Sequence, residues 1–225
     1  MANNFDLEEQ EQLDQLKHFW STWGTLISIV LIVIFGAVAA WNGLNYWRSR
    51  EALQAAALLD AVETAGKVGD QERMNQAFSD IRSKYAGAAQ AAQSGLILAK
   101  LEADKNNIDA AKIVLEWVAE NASDEGYRAL AQLRLASLSI EKKSYDNALQ
   151  QISKKYPIEF DSITIDRRGD ILFLQDKKLE AAIEYNKSYV VNNKMEYRKL
   201  IEVKLNALGI QPQAIAELTA LGVVK

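Results

Sequence analysis

Few residues in this chain have the type and spacing for chemistry. There is no cysteine, which excludes disulfides, thiolate metal sites, iron–sulfur clusters and cysteine nucleophiles. The one histidine, His18, stands at the edge of a long apolar run. An imidazole there could move a proton or bind a metal, but an interfacial polar residue is the ordinary reading. Asp166 and Asp170 fall four apart, with Arg167 and Arg168 between them. Paired carboxylates could hold a metal; solvated charge on a helix is the stronger expectation. The sequence has no HExxH pair, no phosphate-binding P-loop and no GxGxxG turn. The expectation is a protein that is not an enzyme, with no catalytic residue, no cofactor and no metal site.

What remains is binding, which depends on the elements that present the surfaces. Residues 1–47 carry one basic residue, Lys17, against five acids: Asp6, Glu8, Glu9, Glu11 and Asp14. The whole chain has a formal net charge of −4, so the remainder is neutral and mixed in sign. Such a domain offers no electrostatic footprint for nucleic acid, and none is expected as a partner.

From His18 to Trp47 there is no Asp, Glu, Lys or Arg. At about 1.5 Å per residue, the stretch Gly24 to Leu44 reaches roughly the hydrocarbon thickness of a bilayer. In lipid every backbone polar group must be satisfied within the segment, so even its β-branched residues form helix. Trp20 and Trp23 at one end, and Trp41, Tyr46 and Trp47 at the other, are spaced as two aromatic belts. This predicts a transmembrane helix over 24–44, with Trp20, Trp23, Trp41 and Trp47 as membrane-interface anchors. A buried core helix is the competing reading, but it is usually shorter and more interrupted. Ala37-Val38-Ala39 fits a signal-peptide cleavage pattern, yet the preceding tail is acidic where a signal peptide begins positive. Lys17 before the helix, against Arg48 and Arg50 after it, favours a cytoplasmic C-terminal domain by a margin of one residue.

The remainder repeats. A hydrophobic residue followed three positions later by Ala occurs at Met74/Ala77, Ile108/Ala111, Tyr145/Ala148 and Leu179/Ala182, with Ala spacings of 34, 37 and 34. The first three copies continue to Ile81, Leu115 and Ile152; the fourth has Asn186 where an apolar residue is expected. A period of about 34 is that of a tetratricopeptide helix–turn–helix unit. Leu98-Ala99 and Leu135-Ala136 mark partner helices upstream, and polar turns follow them at 104–107, 141–144 and 176–178. Short polar connections make neighbouring helices antiparallel. Ser123-Asp124 reads as an N-cap. Pro157 ends the third hairpin, and Ile158 to Thr164 is the least helical stretch. Met195 to Leu208 reads as a closing helix stopped by Gly209 and Pro212.

The fold expected is therefore all-α: a single N-terminal transmembrane helix followed by a tetratricopeptide-like α-helical hairpin array. Its parts are an acidic tail at 1–23, the membrane helix at 24–44, the hairpin domain at 45–211 and a short extension at 212–225. Such arrays bind partners on the face lined by the first helix of each pair. By repeat register that face contains Lys100, Asp104, Ser137 and Glu141, each of which could equally be plain solvent-exposed surface. Leu13, Leu16, Phe19, Trp20 and Trp23 at helical spacing would let the tail lie on a partner or on the lipid bilayer.

These residues resemble a known family. Glu11-Gln12-Leu13-Asp14-Gln15-Leu16-Lys17-x-Phe19-Trp20, then Gly24 and the apolar run, is similar to the start of the YfgM family, ancillary subunits of the bacterial SecYEG translocon. Trp41, Tyr46-Trp47, Lys84-Tyr85-Ala86-Gly87, Leu133-Arg134-Leu135-Ala136 and Arg168-Gly169-Asp170 extend the resemblance over nearly the whole chain. It implies a single-pass bacterial inner-membrane protein, N-terminus cytoplasmic and C-terminal domain periplasmic, opposite to the flank charges. It implies partners among Sec translocon subunits and a membrane-anchored periplasmic chaperone resembling a prolyl isomerase. Other periplasmic chaperones or emerging chains are further expected partners. The other function considered is a structural assembly factor coordinating envelope or division complexes.

Overall fold

The computed structural model describes residues 7–192 and 194–212, with side chains from residue 12 onward. The expected extension at 212–225 lies, beyond Pro212, outside the described residues, as do the side chains of Asp6, Glu8, Glu9 and Glu11. Among the described residues the chain is all-α, with nine α-helices, one 3-10 turn and no strand. It divides into two compact units, Met1–Glu51 and Ala52–Lys225, and helix α1 (Leu7–Val68) contributes to both.

In the first unit α1 exposes an unbroken apolar surface. Its best apolar window is 6% buried, and it is long and apolar enough to cross a membrane. In water each Å² of such surface would cost about 25 cal/mol.

In the second unit four hairpins follow one another. Residues 52–68 of α1 pair with α2 (Gln71–Lys84), α3 (Ala89–Asp104) with α4 (Ile108–Asn121), α5 (Glu125–Glu141) with α6 (Tyr145–Ile152), and α7 (Asp161–Leu174) with α8 (Lys178–Val191); α9 (Met195–Ala207) follows. The first helix of every hairpin, and α9 as well, ends in the same way. A residue with positive φ stands at Gly69, Asn106, Lys143, Asp176 and Gly209, at intervals of 37, 37, 33 and 33. The amide after each one donates to the carbonyl five residues back: Asp70 to Ala65 (2.9 Å), Asn107 to Glu102 (2.8 Å), Ser144 to Ser139 (2.8 Å), Lys177 to Leu172 (3.0 Å) and Ile210 to Leu205 (3.0 Å). This closure satisfies carbonyls that a helix end otherwise leaves open.

The turns correct the register expected from sequence. Five residues after each left-handed residue come Met74, Ala111, Ala148 and Ala181, all at most 1% exposed. The equivalent positions are thus Met74 rather than Ala77, and Ala181 rather than Ala182. The fourth copy is consequently less worn than expected. Tyr185 fills the apolar place assigned to Asn186 and is 3% exposed, whereas Leu179 is 74% exposed and has no core role. Ile158 to Thr164 also departs from expectation. A 3-10 turn covers Ile158–Phe160, and α7 then starts at Asp161. Packing overrides the weak propensity of the β-branched residues: Thr164 is buried in α7, and its hydroxyl donates to the Asp161 carbonyl at 2.9 Å.

Each hairpin shares its core with the first helix of the next. Val62, Met74 and Ile81 join Leu98 of α3; Leu115 and Val118 join Leu135 of α5; Ala148 and Ile152 join Ile171 of α7; Ala181 and Tyr185 join Ile201 and Leu205 of α9. Helix α9 therefore caps the last hairpin, as a stacked array requires. Asp124 caps α5 by accepting from the Tyr127 amide (3.1 Å), while Ser123 donates to the Gly87 carbonyl (2.9 Å) and so ties α5 to the preceding turn.

The turns give a test in two directions. Lys143 has φ 56° and Gly209 has φ 74°. Urea unfolding of the detergent-solubilised chain, followed by circular dichroism, should show Lys143→Gly more stable by about 0.5 kcal/mol and Gly209→Ala less stable by about 1 kcal/mol. A destabilised Lys143→Gly would contradict the shared turn geometry.

Candidate partner-binding surface

One stripe on each first helix stays open to solvent, at helical spacing. It consists of Gln93, Ile97, Lys100 and Asp104 on α3; Leu130, Arg134, Ser137 and Glu141 on α5; Ile163, Arg167, Asp170 and Leu174 on α7. Helix α9 continues it with Glu196, Leu200, Val203 and Ala207. Measured from the left-handed turn residue, Lys100 and Ser137 are equivalent positions, and so are Asp104 and Glu141. Lys100, Asp104 and Glu141 are exposed; Ser137 is half-buried and its hydroxyl donates back to the Leu133 carbonyl (3.1 Å). No hydrogen bond or ion pair joins the four to one another. What aligns them is the turn register.

That register also brings in residues that the Ala spacing did not single out. Arg134 lies between α5 and α3, its guanidinium donating to the Leu96 carbonyl at 2.7 Å. Burial pushes its pKa down from the usual arginine value, but the Leu96 carbonyl and the remaining water keep the charge supported. Gln93 Nε2 bonds the Tyr127 hydroxyl across the same pair of helices. Toward α9 the stripe turns apolar, with Leu200 48% and Val203 66% exposed.

The paired carboxylates behave differently from the solvated charges expected. Asp166 is buried, and both aspartates are bound by protein groups. Lys204 of α9 donates to Asp166 Oδ1 and Asp170 Oδ1, each at 2.7 Å. The Tyr197 hydroxyl donates to Asp166 Oδ2 (2.8 Å) and the Tyr185 hydroxyl to Asp170 Oδ1 (2.9 Å). Tyr185 reaches its partner because Gly169 offers no Cβ, which would stand 2.6 Å from the ring. The carboxylates that might have held a metal are a clasp between α7, α8 and α9. Among the described residues no group of three or more His, Cys, Asp or Glu is placed to hold a metal. His18 is exposed on α1, and its backbone carbonyl accepts from Thr22 (2.8 Å).

A model of the tetratricopeptide repeat-like domain family matches residues 17–210. An ancillary SecYEG translocon subunit of Neisseria gonorrhoeae is 32% identical over 210 residues, covering 90% of this chain and 98% of that one. The chain belongs to the YfgM family. Proteins of the same name from Haemophilus influenzae and Escherichia coli are 25% and 24% identical, covering 91% and 90% of this chain and 99% and 97% of theirs.

In this YfgM-family chain the four expected anchors all lie on α1 and are exposed: Trp20, Trp23, Trp41 and Trp47. From Trp23 to Trp41 the helix rises about 27 Å, close to a hydrocarbon core. Trp20 lies over Gly24, its indole 3.2 Å from where a Cβ would stand. Beyond Trp41, Arg50 donates to the Tyr46 hydroxyl (2.7 Å) with its guanidinium 5.3 Å from the ring centre. This is how an amphipathic pair sits at a polar boundary.

Two outcomes test the clasp and its surroundings. Lys204→Met leaves the Asp166 carboxylate, 8% exposed, facing only the Tyr197 hydroxyl. It should cost about 3 kcal/mol in urea unfolding, and adding Asp166→Asn should restore part of that. The second outcome concerns high pH. Burial, reinforced by the carboxylates, raises the Tyr185 and Tyr197 phenols; burial alone pushes Tyr156 up to about 12. Above the unfolded value of about 10, the unfolded chain gives up protons that the folded chain keeps, so stability present below that pH is lost as pH rises. Unfolding midpoints should fall steadily above about pH 10, and Tyr156→Phe should make the fall shallower. A flat profile would contradict the burial of these phenols.

Proposed function

We propose that this protein is an accessory subunit of the Sec translocon and acts by holding other proteins, with no catalysis of its own. The observation that carries this reading is the Neisseria relative, which bears that name and aligns over 98% of its length. Residues 24–44 anchor the chain in the bacterial inner membrane, with the tail 1–23 in the cytoplasm and the hairpin domain, 45–211, in the periplasm. The apolar segment and its tryptophans support the anchor. The domain is neutral, and translocation of a long domain is little affected by one flanking charge, so the orientation follows the family resemblance.

The stripe containing Lys100, Asp104, Ser137 and Glu141 is the proposed contact surface. Its partners are translocon subunits, a membrane-anchored periplasmic chaperone resembling a prolyl isomerase, and other chaperones or emerging chains. Lone exposed side chains at equivalent positions on successive helices suit recognition of an extended segment, one contact per repeat.

Photo-crosslinking amino acids at Lys100 and Ser137, and on the membrane helix at Val33, test this in cells. Crosslinks from Val33 to SecYEG subunits and from the stripe to periplasmic chaperones or secreted chains are expected. Crosslinks to cytoplasmic proteins alone from the stripe, or a C-terminal reporter active only in the cytoplasm, would overturn it.

A further inference from the structure

The second helices of three hairpins, α2, α4 and α8, run 14 residues each, but α6 stops after 8. Pro157 accounts for the early stop. It has no N–H to donate, and it disfavours helical backbone in the residue before it. The loss tells at one position. Twelve residues after the left-handed turn residue stand Ile81, Val118 and Ser188 in the first, second and fourth hairpins, each 0% exposed. In the third hairpin that position is Lys155, which lies outside α6 and is exposed.

The floor beneath this position is the same in all four hairpins. Ala55 shares a core cluster with Ile81, Ala92 shares one with Val118, and the Ser162 hydroxyl lies 3.0 Å from that of Ser188. The equivalent floor residue of the third hairpin is Ala129. Over it, where two more helical turns would run, there is a hollow of about 580 Å³. Gln132 continues the floor, and Tyr156 and Ile158 form an apolar wall; Ile158 is 77% exposed. On the rim Arg128 is paired with Glu125 at 3.4 Å. Lys155 makes no hydrogen bond or ion pair among the described residues.

We propose that this hollow docks the end of an amphipathic helix from a partner protein, replacing the two turns that α6 lacks. An aliphatic side chain of the partner faces Ala129 and Gln132, as Val118 does in the second hairpin, and a carboxylate pairs with Lys155. The site lies apart from the exposed stripe of the first helices, so its failure leaves the proposed function standing.

The chain itself supplies the probe: a helix-stapled, fluorescently labelled peptide with the sequence of residues 114–121, which carries Val118 with Glu116 and Glu120. Its binding to the full chain in detergent micelles is read by fluorescence polarisation. Saturable binding is expected. Gln132→Trp, which fills the hollow, and Ile158→Arg, which charges its wall, should each weaken binding by about tenfold or more. Lys155→Glu should weaken it by about threefold or more, and Val118→Asp in the peptide should abolish it. Ile158 is exposed, so Ile158→Arg serves even where Gln132→Trp fails to fold. Failure to bind, equal binding of a scrambled peptide, or binding unchanged by Ile158→Arg would overturn the proposal. Removal of residues 213–225 leaving the affinity unchanged is expected; a tenfold gain would assign the hollow to the chain's own end and overturn a partner there.

Discussion

A helical hairpin of this size cannot bury its apolar face alone, and the left-handed residue that closes each one fixes which neighbour buries it. The closure stops the first helix at a set point and returns the chain antiparallel. The second helix then meets its partner with a small or flexible residue, Met74, Ala111, Ala148 or Ala181, at the contact. The next first helix packs into the groove so formed. Because that turn repeats five times, each core cluster is built like the one before it, and the open stripe lines up from helix to helix. Stability and binding surface therefore rest on the same backbone conformation.

The two ends of the array solve opposite problems. At the C-terminal end α9 must cover the last hairpin, and it does so with both apolar and charged contacts. Ile201 and Leu205 are fully buried, while Lys204 reaches two carboxylates on α7. A buried ion pair of this kind adds little net stability, since both partners lose water, but removing one partner is costly. The clasp therefore fixes where α9 lies. At the N-terminal end α1 exposes apolar side chains from Leu26 to Leu44 that water would penalise heavily and that lipid accepts. The neutral hairpin domain adds no charge pattern of its own that would draw it to anionic surfaces.

The third hairpin departs from the rule that shapes the others. A single proline shortens α6, and the array tolerates this because Tyr156 folds back on the core and its hydroxyl donates to the Gln151 carbonyl at 3.1 Å. What is lost is a seal over Ala129, not the stacking itself. A repeat array in which each unit depends only on its neighbours can carry such a local change without spreading it.

The apolar segment, the all-α class, the hairpin repeat, the Asp124 cap, the Pro157 break and the Gly209 stop were all legible in the sequence. Each rests on a local rule: a bilayer-length apolar run, a 3.6-residue period, a capping carboxylate, a missing N–H or a residue free to take positive φ. The repeat register was legible only to within a few residues. Asn106, Lys143 and Asp176 do not announce a left-handed conformation as Gly69 and Gly209 do, and Ala77 and Ala182 imitate the true contact positions. The fate of Asp166 was not legible at all, because its partners Tyr197 and Lys204 lie 31 and 38 residues away. Sequence by itself determined which segments are helical and which face of each is apolar, since those follow from near neighbours along the chain. Only the tertiary structure decided which polar groups were buried together and which residues of each first helix stayed open, since those depend on what the next hairpin covers.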